Sequence, residues 1–435
     1  MNTRSRRLLL WSGSAAVAVA ATGWAMYREV TTFGRPEPIQ TGLDFLNSTW
    51  RAVRGLLSGA NIYAPAHVTL PGIGSGVAQV SPHTPGSLLW QAPFAALPPR
   101  AAVVAYAFAS ILAIWAGVFI LTRPRDPSAV FLATGCGAFA VCFMGGPTTL
   151  LLGQPTGFAL LGLAVLIRAR RPWLAGLGFM LAASTIQTGL PLALALLVLG
   201  RWPVVWRGIV LVAACSLPPV SLEIANAGFR SFVASFVSGG GIHLVLLSHR
   251  IDLGAFLQRL GVTSVAVQVG AGILIAALAL AFLARLPPHM RRIENPPVLC
   301  LVIAFTLLCT YHEPYDMLLV GGVMIPIILL NDQSRAMMPS FALAGTSAGL
   351  SSYTIILVYA PIALLGIGTF SALALLRTSK SHGHVVAERE EAGVEDSATW
   401  TSQSGATSSP DAVPVRDATS SLHTKLAETP SAEHS

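Results

Sequence analysis

Residues 173–199 read WLAGLGFMLAASTIQTGLPLALALLVL, an uncharged stretch too long for one membrane crossing and too short for two. Ser184, Thr185, Gln187 and Thr188, with Gly189 and Pro191, interrupt its middle. Backbone that leaves a helix at bilayer depth survives only where protein covers it or where it lines a cavity. The stretch therefore predicts two short helices with a break between them. Arg170 and Arg171 precede it, and Arg201 and Arg207 follow it, so both ends belong on the cytoplasmic side.

Outward in both directions the texture is the same. The chain has 435 residues, 53% hydrophobic and only 11% charged, where a soluble domain carries about 25% charged residues. Uncharged runs of about 18 residues or more recur, each long enough to cross a bilayer. An all-α polytopic membrane protein follows. The net charge of +8 sits mostly as arginine in short loops between apolar runs. That is the pattern of membrane orientation, and it excludes a nucleic-acid-binding face. The five cysteines lie in or beside apolar segments without metal spacing, so they read as packing residues with no disulfide framework. No metal site, P-loop, dinucleotide turn or nucleophile elbow stands out.

The first segment, about 8–26, follows Arg4, Arg6 and Arg7 and enters from the cytoplasm; its AVAVAA fits a signal-peptide cleavage region, and its length to about Met26 fits a retained signal anchor at least as well. A long outer loop runs to about Pro99, and the second segment, 101–122, returns to Arg123 and Arg125. Two segments follow to Arg168, then the broken pair, then 208–224 and an outer loop over 225–260. Segments 262–284 and 296–310 come next; one returns to Asp332, and two more, split near Ser351-Ser352, end at Arg377 and Lys380. This gives about twelve crossings in a membrane domain of residues 1–380, with both termini cytoplasmic. Residues 381–435 are rich in Ser, Thr, Ala and Glu, cannot bury enough surface to fold, and read as a disordered cytoplasmic tail.

Polar chemistry collects on the outer face. In TGLDFLNSTWRAVRGLLSGANIYAP (41–65), Leu43, Leu46, Trp50, Val53 and Leu57 recur at helical spacing, with Asn47, Arg51, Arg54 and Ser58 opposite. This predicts an amphipathic helix along a membrane surface. Asp44 at its start suits an N-cap, worth about 1 kcal/mol, or a general base. His83, the Gly145 turn, the break at Gln187, the Arg250 loop and His312 share that face. His312 beside Glu313 suits a phosphate donor or general acid as well as a helix-end histidine near water. His249-Arg250 is a basic pair suited to phosphate, and Glu313 and Asp316 are further outer carboxylates.

Asp44 followed by WRAVRGLLSGANIYAP, then SPHTPGSLLWQAPFAALP, resembles the first outer loop of glycosyltransferase family 87. These are bacterial C-type membrane transferases that use polyprenyl-phosphate sugars, such as mannosyl- and arabinosyltransferases. The likeness continues through LLGQPTGF from Leu151, QTGLPLALALL from Gln187 and YHEPYDMLLV from Tyr311. It implies a C-type fold with its site on the extracytoplasmic face of a plasma membrane. It also implies a polyprenyl-phosphate donor, a lipid-linked or polymeric envelope glycan as acceptor, and no metal or cofactor. Asp44 would be the base and His312 its catalytic companion, with Gln154, Arg250, His83 and Gln187 toward the donor phosphate. Where the family has Lys-Pro-Gln, this chain has Thr185-Ile186-Gln187, which leaves an inactive homologue open. A transporter or lipid flippase also uses broken helices, but no internal repeat is visible and few ionisable residues lie at mid-membrane. A scaffold acting through the tail is a third reading.

Overall fold

The computed structural model describes residues 3–32, 44–63, 67–70, 74–77, 84–143, 145–242, 250–310, 312–329 and 353–391. The chain divides into two compact units, Met1–Gly383 and His384–Ser435. Apart from a two-stranded antiparallel ribbon, β1 (His67–Leu70) with β2 (Gly74–Val77), regular structure among the described residues is helical.

Helix α1 is Thr3–Thr32, and a π-helical turn, Phe45–Trp50, leads into α2, Arg51–Leu57. Next come α3 (Pro85–Ala95), α4 (Pro99–Thr122), α5 (Pro127–Cys142) and α6 (Gly146–Leu152). The pair expected around Gln187 is flanked by α7 (Thr156–Arg168) and α10 (Trp202–Ala227), and is itself α8 (Pro172–Ala182) and α9 (Ile186–Val198). The backbone leaves the helix at 183–185, as the polar interruption predicts. Beyond lie α11 (Phe229–Ile242), α12 (Leu253–Arg259), α13 (Val265–Arg285) and α14 (Pro296–Cys309). A 3-10 turn, Pro314–Met317, and a π turn, Val320–Met324, lead into α15, Ile325–Leu329.

The last helix, α16, is Tyr353–Glu391, so helical backbone runs beyond Ser381, where composition had placed the start of the tail. Residues 392–435 and the split near Ser351-Ser352 fall outside the described residues.

Among the described residues five helices are long and apolar enough to cross a bilayer: α1, α4, α10, α13 and Ala360–Ser379 of α16. Counting α5 and α6, bent by 50° at their junction, as one span makes six. Along α10 and α13, Leu217, Leu222, Ile273, Leu274 and Leu278 all point outward. Helices apolar around their whole circumference belong in lipid, and the chain is a multi-pass membrane protein. Helices α7, α8, α9 and α14 have 13, 11, 13 and 14 residues. At 1.5 Å per residue they reach about 20 Å, less than the roughly 30 Å hydrocarbon core.

Between helices already in lipid no hydrophobic gain is left, so close backbone contact must hold them. A Cβ on Gly162 of α7 would lie 2.6 Å from the carbonyl of Gly178 on α8, and one on Gly178 would lie 2.5 Å from the Leu166 nitrogen. Gly178→Val is therefore expected to force α7 and α8 apart and cost about 1–3 kcal/mol or more. Thermal unfolding of detergent-solubilised protein reads this out, and an unchanged midpoint would contradict the close packing.

The helix expected within residues 41–65 forms, with a different buried face from the one its spacing suggests. Phe45, Trp50, Ala52, Val53 and Leu56 are buried, whereas Leu57 is 71% exposed. The π turn is wider than an α-helical turn and re-phases the residues that follow it. Phe45 stacks on Tyr106 of α4 with ring centroids 4.4 Å apart. The Trp50 indole donates to the Leu97 carbonyl at 3.0 Å. Protein, rather than a membrane surface, covers this apolar face.

Candidate active site

The site is built on the turn between α6 and α7. Gly153 closes α6 with φ +72, and a Cβ there would lie 2.5 Å from Cβ of Phe45. Glycine thus permits both the left-handed backbone and the contact with the Phe45–Trp50 turn. Gly153→Ala is expected to strain the turn, displace Phe45 and cost about 1–3 kcal/mol. A thermal midpoint equal to wild type would refute this.

The next residue, Gln154, donates from Nε2 to Oδ2 of Asp44 at 2.5 Å. Asp44 heads its helix with φ −71 and ψ −39 and makes no side-chain cap bond. A capping residue needs extended backbone to turn its oxygen back onto the first amides; Asp44 is already helical, so the N-cap expectation fails. Its half-buried carboxylate is left for Gln154. Burial raises its proton affinity above that of an ordinary aspartate, and the Gln154 amide offsets part of the rise.

Gln154 also lines a narrow crevice with Thr156, Ser184, Thr185, Gln187, Thr188, Tyr315 and Asp316, whose free volume of about 10 Å³ is the room of one water. The break between α8 and α9 thus forms one wall of this crevice. Among the described residues no arginine or lysine lines it. Two helix N-termini meet there, α7 beginning at Thr156 and α9 at Ile186.

His312 is fully buried. Its Nδ1 lies 2.7 Å from Oδ2 of Asp316, and its Nε2 lies 3.0 Å from the Thr310 hydroxyl. That hydroxyl is also 2.9 Å from the Gln187 carbonyl. Asp316 further accepts from the Thr156 hydroxyl at 3.1 Å and from the Glu313 amide at 3.3 Å. The imidazole therefore meets Thr310 and Asp316, and of these two Asp316 lines the crevice.

Arg250 is buried too. Its Nε and Nη2 donate to the two oxygens of Asp252 at 2.6 and 2.8 Å, and Asp252 caps α12 through the Ala255 amide at 3.2 Å. The bidentate fork that would suit a phosphate is engaged by a carboxylate. The Ile251 amide donates to the His312 carbonyl at 2.8 Å, so the two loops are joined. His83 and His249 fall outside the described residues. Thr84, next to His83 in sequence, donates from its amide and hydroxyl to the Ser184 carbonyl at 3.0 and 3.2 Å.

The structure thus lines one crevice with Gln154 and Gln187, joins Asp44 to it through Gln154 and His312 through Asp316, and holds Arg250 in an ion pair of its own. Thr156 and Thr310 escaped the sequence reading. Their signal was a hydroxyl residue at each helix end flanking GQP and YHEP, which is common enough to pass unnoticed. Among the described residues no three His, Cys, Asp or Glu side chains converge to hold a metal ion.

No curated protein matches the chain. A family model, Glycosyltransferase family 87, matches residues 82–310, just over half of the 435 residues. The span includes Gln154, Gln187, Arg250 and all of α7, α8 and α9; His312 lies just beyond it and Asp44 well before it. With the match covering the helices that wall the crevice, the chain belongs to glycosyltransferase family 87.

Proposed function

We propose that the chain moves a sugar from a polyprenyl-phosphate donor to a lipid-linked or polymeric envelope glycan, with Asp44 as general base. The observation that carries this reading is the Asp44 carboxylate itself. It is released from capping, half-buried, and held by Gln154 beside a polar crevice. As an acceptor hydroxyl oxygen bonds to the anomeric carbon, its proton passes to Asp44. The bond from that carbon to the phosphate oxygen breaks, its electron pair leaves with the polyprenyl phosphate, and the anomeric centre inverts. A raised proton affinity suits a base that must hold this proton.

The leaving phosphate gains negative charge, which neutral donors and helix termini can stabilise. Gln187 and Thr185 stand at the start of α9, where Thr185 makes no side-chain cap bond. The N-terminal amides there carry about half a positive charge. That end stands in for the lysine that the family's Lys-Pro-Gln would supply. His83, adjacent to the anchored Thr84, completes the phosphate contacts in this reading. His312 acts by holding Asp316 in the crevice wall, and Arg250 by fixing the neighbouring loop through Asp252.

The C-type arrangement of about twelve crossings belongs to the same proposal. So does a crevice on the extracytoplasmic face of a bacterial plasma membrane, with both termini inside. What supports this orientation is that α7 and α9 begin at the crevice and end toward Arg168 and Arg201.

The test offers radiolabelled polyprenyl-phosphate mannose, arabinose and glucose with envelope extracts to membranes containing wild type or Asp44→Ala at equal level. Product from wild type alone is expected. Equal product from both would remove Asp44 as the base, and none from any donor would leave an inactive homologue as the better reading.

A further inference from the structure

At the ends of α7, α8 and α9 away from the crevice lies a second cavity, of about 510 Å³, within the size range of small-molecule sites. Arg123, Arg168, Arg170 and Arg201 line it, and Glu294 is the one acid among its described lining residues. Glu294 pairs with Arg201 at 3.2 Å. Arg168 donates to the Leu121 carbonyl, and Arg123 donates to the Arg168 carbonyl at 2.7 Å. Carbonyls satisfy guanidinium hydrogens without cancelling charge, so the cavity holds a surplus of positive charge. Nε of Arg201 is buried with no hydrogen-bond partner.

Two further observations point to a ligand. Arg123 has φ +43, and among the described residues it is the only non-glycine with positive φ. It ends α4 at a position that favours glycine, and strained residues persist where their surroundings make use of them. Trp173 and Trp202, adjacent to lining residues Pro172 and Arg201, are 51% and 59% exposed. Exposed tryptophans at the ends of apolar helices mark the level of the membrane interface.

We propose that this cavity binds the phosphate headgroup of an anionic membrane lipid. A basic pocket between helices at headgroup depth supplies that recognition, with the tryptophans setting the depth. The proposal stands independently of the transferase reading.

Native mass spectrometry of the full-length protein in neutral detergent tests it, with phosphatidylglycerol, phosphatidylcholine or inorganic phosphate titrated separately. Wild type is expected to retain phosphatidylglycerol over phosphatidylcholine. Arg123→Gly and Arg201→Gln should each weaken that binding about fivefold, the effect of one basic residue at an anionic surface. Arg123→Gly removes the charge while supplying the residue the backbone prefers, so its lipid-free thermal midpoint should not fall. Arg285→Gln, at the exposed end of α13 outside the cavity, should leave binding unchanged. Wild-type affinity in both cavity variants would overturn the site. An equal loss in Arg285→Gln would reduce it to general basic charge. Tight binding of inorganic phosphate without preference for phosphatidylglycerol would overturn the lipid assignment.

Discussion

Asp44→Asn is expected to lower kcat/KM for sugar transfer by about 10²–10⁴-fold, the usual contribution of a general base, without destabilising the protein. Asparagine keeps the shape of the side chain and can still meet Gln154, but it cannot take a proton. The stability half of the prediction follows from the raised pKa of Asp44. Its contribution to stability is fully present below the ordinary aspartate value of 3.8 and is lost as pH rises through the higher folded value. Near neutral pH the wild type therefore carries the cost of a buried negative charge that the variant lacks. Thermal midpoints should be equal or higher for Asp44→Asn at pH 7 and converge with wild type in acid. Wild-type activity should fall as pH drops through the same raised value, because the base must be ionised to act. A variant that is inactive and also clearly less stable would mean that Asp44 is structural.

The second large effect concerns stability, at Asp316. Its carboxylate accepts from Nδ1 of His312, the Thr156 hydroxyl and the Glu313 amide. These partners come from α7 and the turn after α14, and His312 is fully buried. Asp316→Ala would leave three donors without an acceptor, at a combined cost of about 3–5 kcal/mol. Asp316→Asn retains one oxygen and should recover part of that. Chemical or thermal unfolding in detergent separates the two variants. A loss below about 1 kcal/mol in Asp316→Ala would show that the network is not what holds the turn against α7.

The membrane character, the break around Gln187 and the family were legible in the sequence, because each depends on local composition or short motifs. An uncharged run reports its solvent directly, and polar residues with Gly189 and Pro191 in such a run report a cavity. The crevice itself was legible only as a set of candidates on one face. Its residues come from helices far apart in the chain, Asp44 meeting Gln154 across 110 positions and Thr156 meeting Asp316 across 160.

Other features depended wholly on tertiary structure. The spacing of Leu46, Trp50, Val53 and Leu57 assumed 3.6 residues per turn, and the π turn at Phe45–Trp50 changed which of them is buried. Asp44 looked like a cap until its helical backbone turned the carboxylate toward Gln154. His312 and Arg250 suit phosphate because each residue type can bind one; the fold sets Asp316 against Nδ1 of His312 and Asp252 against Nε and Nη2 of Arg250, neighbours no local pattern shows. By itself, then, the sequence determined that the chain crosses a membrane, where its helices break and which family it belongs to. Whether a carboxylate stands free for chemistry or is bound into a buried pair was decided by tertiary contacts, because that depends on the partner the fold brings within hydrogen-bonding distance.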